Sequence, residues 1–401
     1  MMDKIRAEKI CRIAYDRICG YNIHRFKNSG RNIILISDKY PGIWLEHTYD
    51  AVALAKYDKK FIDIAKNQIS VFIDNQKKDG QLPCYVLDEN NPATGEFKST
   101  VGYSQIQECV SFASLCVETY MLSQDVEFLK KCYNACRKWD LWLENNRMTT
   151  GKGLIELFCG FDSGHDKSMR FADIACPGNY DDKNAAICPA CNIVPIIAPD
   201  MNAVFYGNKT ALSEMAAILG EEKVRESYIN QAQEVKMNLM NVCYDREDNY
   251  FYDVDKNGNK RKIRSISIAS LFAEHVLDED VAERIYGENL RNPKRFWTEI
   301  PFPSVSADDG AFKKNASGNS WNYYSQGLTA LRTLRWMEYY GKTNDMRYVM
   351  ERWLDAQANA VVPFGQEYDP FCAEPSDSSP WYSSAMIYAL WAGYTLYGIK
   401  I

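Results

Sequence analysis

Residues 48–75 read TYDAVALAKYDKKFIDIAKNQISVFIDN. Apolar residues recur at helical spacing on both sides of Asp58-Lys59-Lys60, and that short polar joint divides the pattern in two. An acid at such a joint favours the positive end of the helix that follows. The spacing predicts a helical hairpin, with helices over about 43–56 and 58–75.

The same unit recurs along the chain. Further joints are Ser123-Gln124-Asp125, Gly220-Glu221-Glu222, Asp278-Glu279-Asp280 and Gly341-Lys342-Thr343-Asn344-Asp345. Gly ends one helix, because it accepts the left-handed backbone of a helix stop, and acids begin the next. An amphipathic stripe of Ile5, Ile10, Ile13, Ala14 and Ile18 marks a helix over 3–22. The remaining helices are predicted at about 103–122, 125–146, 199–220, 221–243, 265–275, 278–291, 319–341, 344–359 and 379–397. The fold class is therefore all-α: six hairpins forming an (α/α)6 toroid, one ring of helices inside the other. An open α-solenoid has short, regular connections. The long segments 76–102, 147–198 and 292–318 favour the closed ring with functional loops at one end. No linker-like stretch divides residues 1–401, so one catalytic domain is expected.

Composition narrows the chemistry. Of 401 residues 46% are hydrophobic, enough for a large core, and the formal net charge of −6 without a basic block argues against a nucleic-acid surface. Aromatic residues reach 13%, with 9 Trp and 26 Tyr; flat rings stack on the apolar faces of sugars. No stretch approaches the ~18 apolar residues of a membrane span, and the first residues form an amphipathic helix without a signal-peptide core. With 13 cysteines read as reduced thiols, a cytoplasmic protein is expected. Cys188-Pro-Ala-Cys191 with Cys176 lacks a second ligand pair, and only four His are present (His24, His47, His165, His275), so no metal is expected. Neither a GxSxG elbow, a GxGxxG loop nor a Walker A loop occurs, and no cofactor is expected.

What remains is carboxylates beside aromatics at helix ends and in long loops. They fall in Trp44–Asp50, in SGHDKSMRF (163–171), in Pro199–Asn202, in FPSVSADD (302–309) with GNSWN (318–322), and in FGQEYDP (364–370) with WYSS (381–384). Taken singly, each admits a plain reading: Asp50 as a first-turn acid, Asp200 as a cap, Asp308-Asp309 as a turn, Glu367 as a loop acid.

Together, their order and wording resemble the (α/α)6 glycoside hydrolases of families 63 and 37: processing α-glucosidases, mannosylglycerate and glucosylglycerate hydrolases, and trehalases. SGHDKSMRF resembles that family's S-G-x-D-x-S-x-R segment, which implies Asp166 as general acid with Arg170 beside the sugar. FGQEYDP resembles the E-x-Y-[DN]-P segment, which implies Glu367 as general base, with Tyr368 beside it. YDAVALA is similar to W-D-S-x-F-H-x-x-A-L, implying that Asp50 lines the glycone site. PDMNAVFY resembles D-L-N-A, placing Asp200 and Asn202 nearby. FPSVSADDGAF followed by G-x-x-W resembles P-S-x-x-x-D-D-P-x-[FY] and W-R-G-P-x-W. Tyr49, Gly310 and Ser317 stand where the family has Trp, Pro and Arg. The trehalase signature Q-W-D-x-P and the N-terminal β-sandwich of longer relatives are absent.

The resemblance implies an inverting exo-glycosidase acting on a small, glucoside-like α-glycoside, with a small saccharide as its partner and neither nucleic acid nor membrane. Inverting cleavage uses one carboxylic acid to protonate the departing oxygen and one carboxylate to activate water, roughly 6.5–9.5 Å apart. Asp166 has to hold its proton near neutral pH. An Arg170 pairing would oppose that, so Arg170 is expected to bond sugar hydroxyls. Trp44, Trp321 and Trp381 or Tyr382 are expected to stack on sugar. Asp162 is the rival acid, and His165 is read as a hydrogen-bonded loop histidine. A sugar epimerase or unsaturated-glycoside hydrolase on the same barrel, or a non-catalytic sugar-binding protein, remains the alternative.

Overall fold

The computed structural model describes residues 2–174, 185–314 and 319–401; Cys176, Ser317 and Gly318 lie outside the described residues. Among the described residues there are twelve α-helices. They are α1 (Lys4–Arg17), α2 (Thr48–Tyr57), α3 (Ile62–Asp74), α4 (Phe112–Ser123), α5 (Val126–Arg147), α6 (Pro199–Ile218), α7 (Glu222–Cys243), α8 (Ala269–Ala273), α9 (Glu279–Ile285), α10 (Gly327–Arg332), α11 (Thr343–Asn359) and α12 (Ser383–Tyr397).

The joints work as their residues dictate. Asp58 accepts from the Lys60 amide at 3.1 Å, and Asp125 accepts from the Phe128 amide at 3.0 Å, capping orphan donors at the helix starts. Gly220 and Gly341 close the preceding turns at φ 79° and 68°, a conformation that costs glycine little.

Two rings result. The helices α2, α4, α6 and α8 touch in sequence, α8 meets the single turn Thr333–Arg335 after α10, α10 meets α12, and α12 returns to α2, closing the (α/α)6 ring. The partners α3, α5, α7, α9, α11 and α1 lie outside it, with α1 packed on α12. Burial follows position. In α2 every residue but Lys56 is buried, whereas α5 buries one face, including Phe128, Leu129, Cys132, Trp139 and Leu143. Burying each such apolar side chain contributes about 1.5–3 kcal/mol.

The inner helices start later than the sequence predicts. The pattern over 43–56 gives a helix only from Thr48, that over 103–122 only from Phe112, and that over 319–341 only six residues, Gly327–Arg332. Residues just before these starts are extended or irregular. The strand Gly42–Trp44 pairs with Tyr85–Leu87, which pairs with Val101–Gly102, and Ser325–Gln326 pairs antiparallel with Glu367–Tyr368. These segments gather at one end of the barrel and build the site.

Candidate active site

The loop SGHDKSMRF is held by local geometry. Residues Gly160–Ser163 form one tight turn, Gly164 follows at φ 70°, and Ser168 caps a second turn, Met169–Phe171. Gly164 is required twice over. Its φ is left-handed, and a Cβ there would lie 2.6 Å from Cys109 Sγ and 3.0 Å from Glu46 Oε2.

This fold aims Asp166 into a small cavity of about 40 Å³, walled by Tyr40, Trp44, Glu46, Gln105, Gln107, Trp321, Gln366 and Tyr382 among others. Asp166 Oδ2 accepts from Asn319 Nδ2 at 2.8 Å. Burial pushes its carboxyl up to about 6, against the opposing pull of the Asn319 bond and the Lys167 charge. Glu367 sits behind the same wall. Its four acceptor positions are filled by Asn319 N (2.9 Å), Ser376 Oγ (2.8 Å), Ser320 N (3.2 Å) and Gln326 Nε2 (2.6 Å). Burial raises its proton affinity and these donors lower it, with burial the larger effect. Asn319 thus touches both carboxylates, which the sequence separates by 201 positions.

The rival aspartate is differently placed. Asp162 is fully buried, paired with Arg147 at 2.7 Å, and bonded by the amides of Ile106, Phe158 and Cys159. It is not among the residues that wall the Asp166 cavity, and its carboxylate is saturated.

Several expected sugar contacts take other roles. Arg170 was expected on sugar hydroxyls, but its five N–H donors are consumed by bidentate pairs with Asp200 and Asp253 and by His165 Nδ1 at 2.9 Å. Two buried aspartates compete for it, so none of its donors is left for a ligand. The network instead fixes His165, whose ring stacks on Trp321 at 4.1 Å and 12°. Burial, aided by the Arg170 charge, drives His165 down to about 3, keeping it neutral. Asn202 bonds the backbone of Ile155 and Ala198 and ties α6 to the loop before Gly160, away from the cavity. Asp50 is buried under Ser383 and Ser384, whose hydroxyls it accepts, and joins α2 to α12. Tyr368 packs edge-on against Trp353, its hydroxyl accepting from Gly365 N at 3.3 Å. Trp381 leans on Phe364 and Arg17, while its neighbour Tyr382 lines the cavity and bonds His47 Nε2 at 2.7 Å. Asp308 and Asp309 serve the turn, bonding Ser306 and the amides of Arg264 and Ala311.

Trp44 and Trp321 do wall the cavity; Trp44 is braced by Tyr40, Tyr85 and Phe97. Beside them stands a carboxylate that sequence reasoning passed over. Glu46 pairs with Arg332 at 3.2 Å and accepts from Gln107 at 3.3 Å. Burial lifts it to about 7, with Arg332 opposing and Asp166 adding to the rise. A signal existed: the segment 45–54, LEHTYDAVAL, fits W-D-S-x-F-H-x-x-A-L from its Asp onward if Glu46 takes the Asp position and Ala53-Leu54 the A-L. The register shift is four residues, one helical turn. Among the described residues no group of three or more His, Cys, Asp or Glu is placed to hold a metal ion, and no helix is long and apolar enough to cross a membrane.

An (α/α)6 ring whose one end gathers the half-buried Asp166 and the buried Glu367 among aromatic walls is an arrangement that helical-barrel glycoside hydrolases use. The pattern of mannosylglycerate hydrolase MGH1-like glycoside hydrolase domains matches residues 40–384, and the chain belongs to that family. An uncharacterized protein of Borreliella burgdorferi is 25% identical over 169 residues, 42% of this chain and 35% of its own length. Solved structures share the fold. The GH63 mannosylglycerate hydrolase from Thermus thermophilus in complex with glucose superposes with a TM-score of 0.74 at 15% identity, covering 95% of this chain and 99% of its own. An uncharacterized conserved protein from the same organism gives 0.76 at 16% identity, with the same coverage of 95% and 99%. Neutral trehalase from Saccharomyces cerevisiae gives 0.66 at 12% identity, covering 92% and 76%.

Proposed function

We propose that the chain is a cytoplasmic, single-domain, inverting exo-glycosidase that hydrolyses a small α-glycoside, with Asp166 as general acid and Glu367 as general base. The observation that carries this is the contrast between the two carboxylates bridged by Asn319. Among the described residues Asp166, facing the cavity, has one side-chain donor, on one oxygen, and burial holds its proton up to about 6. Glu367 is also raised by burial, but four donors oppose that rise and favour its ionised form. Different surroundings for paired acids are what divides acid from base.

In the step, water attacks the anomeric carbon as the glycosidic C–O bond breaks. Asp166 gives its proton to the departing oxygen, and Glu367 takes a proton from the water. Glu367 needs an open lone pair for this. The Ser376 hydroxyl supplies it by turning from Glu367 Oε1 to Ser378 Oγ, which lies 2.8 Å away. Trp44 and Trp321 flank the sugar as stacking surfaces, with Gln105, Gln107, Glu46 and Tyr382 offering polar edges to its hydroxyls. The mannosylglycerate hydrolase and trehalase folds favour short glycosides of this kind as substrates.

Proton NMR during turnover of mannosylglycerate, glucosylglycerate, trehalose and α-glucobioses tests this. The β-anomer appearing first from one α-glycoside is the expected result. From mannosylglycerate or glucosylglycerate, whose leaving group has no anomeric centre, release of the α-anomer first overturns inversion; trehalose is expected to give both anomers equally, because its leaving glucose keeps the α configuration; and no turnover of any α-glycoside overturns the substrate class.

A further inference from the structure

Four side chains around the cavity form a one-way chain of donors. The Tyr40 hydroxyl donates to Gln366 Oε1 at 3.3 Å, Gln366 Nε2 to Asn319 Oδ1 at 2.9 Å, and Asn319 Nδ2 to Asp166 Oδ2 at 2.8 Å. The direction is fixed at its acceptor end. Ionised Asp166 only accepts, so Asn319 turns its N–H to it and its oxygen to Gln366, whose own oxygen is left to the Tyr40 phenol that burial keeps protonated. We propose that Asn319 is a positioning residue that, as the last member of this chain, sets how readily Asp166 gives up its proton. The proposal rests on the reading of Asp166 as the acid.

The physical argument is differential. When Asp166 is protonated, the Asn319 bond to Oδ2 is an ordinary amide bond. When Asp166 has given its proton away, the same bond is charge-assisted and roughly twice as strong. Bonds polarised in series strengthen one another, so Gln366 and Tyr40 add to the pull. The geometry is held in place without a substrate. Asn319 sits at φ 53°, a left-handed conformation asparagine tolerates, and its backbone N–H is anchored on Glu367 Oε1 at 2.9 Å. The other charges facing Asp166 are Lys167 on its own loop, Glu46 with Arg332 behind it, and Glu367 on its strand; Asn319 joins Glu367 and Asp166 directly.

The test separates tuning from architecture. Aspartate carboxyl-13C labelling and NMR titration of the free enzyme identify Asp166 as the resonance missing in Asp166→Asn. In the wild type it is expected to titrate near 6. Asn319→Gly keeps the left-handed backbone and the N–H to Glu367 while deleting the bond to Asp166, and is expected to raise that midpoint by ~0.5–1 pH unit. Tyr40→Phe removes only the far end of the chain and is expected to raise it less, with the same sign. An unmoved or lowered midpoint in Asn319→Gly overturns the proposal; if that variant does not fold, an unmoved midpoint in Tyr40→Phe does so. Hydrolysis by Asp166→Asn is a separate readout: if that variant keeps its activity the acid assignment fails, whatever the titration shows.

Discussion

Asp162 and Asp166 lie one turn apart in one loop, and their surroundings are opposite. Asp162 has an arginine partner and three backbone amides and is not part of the wall of the Asp166 cavity. Among the described residues Asp166 has one side-chain donor, the Asn319 amide, and it faces the cavity. A carboxylate with every lone pair answered holds a fold together. One that is buried and under-answered keeps its proton and can deliver it. The same contrast divides the arginines: Arg170 is consumed by Asp200 and Asp253, whereas Arg332 reaches Glu46 on the cavity wall.

The comparison breaks or sharpens at several points. The largest effect is expected at Asp162→Asn, which leaves Arg147 buried without its charge partner. It should cost about 3–5 kcal/mol in urea unfolding while the remaining folded enzyme keeps its activity. If that variant is as stable as the wild type but inactive, the two aspartates have exchanged roles. Next come Asp166→Asn and Glu367→Gln, each expected to lower kcat ~10³-fold, about 4 kcal/mol in barrier, with near-native circular dichroism.

A smaller effect appears in stability against pH. The folded midpoint of Asp166, about 6, lies above its unfolded value of 3.8, so its contribution to stability is full below that unfolded value and is lost as pH rises through about 6. Replacing it by Asn should therefore leave stability unchanged at pH 3.5 and raise it by on the order of 2 kcal/mol at pH 8, read from thermal or urea midpoints. For the same reason the kcat/KM of the wild type should fall as pH rises above about 6. The smallest shift is expected at Glu46→Gln. Glu46, lifted to about 7, still holds its proton when Asp166 titrates near 6, so its removal should move the alkaline limb of that profile by no more than a few tenths of a unit. An upward shift means that Glu46 favours release of the Asp166 proton.

Much of this was legible in the residues. The joints at Asp58, Asp125, Gly220 and Gly341 are local chemistry, set by one or two side chains each, and the hairpins followed from them. The helix starts at 43, 103 and 319 were misplaced for one reason. Trp44, Gln107 and Asn319 carry apolar or helix-compatible patterns, but they are drawn into the cavity wall, with Gln107 and Asn319 at positive φ. Where tertiary demand overrides propensity, the functional end of the ring appears. Asp166 and Glu367 could be read from motifs because their neighbours repeat a wording. Arg170 could not, because its partners Asp200 and Asp253 lie 30 and 83 positions away and only the fold brings them together. Glu46 was hidden by a one-turn shift of register beside the more conspicuous Asp50.

The docking of α1 on α12 has a kinetic consequence. Cys11 Sγ bonds the Ala389 carbonyl across 378 positions, so the ring is sealed by some of the most distant contacts in the chain. Contacts of such high order are slow to form, because loop-closure entropy is lost before they stabilise anything. Until α12 seats against α2, the apolar inner faces of both are bare, and partly closed rings of this kind are prone to associate. Folding yield should therefore depend on how quickly the last hairpin finds the first, more than on the strength of any one helix.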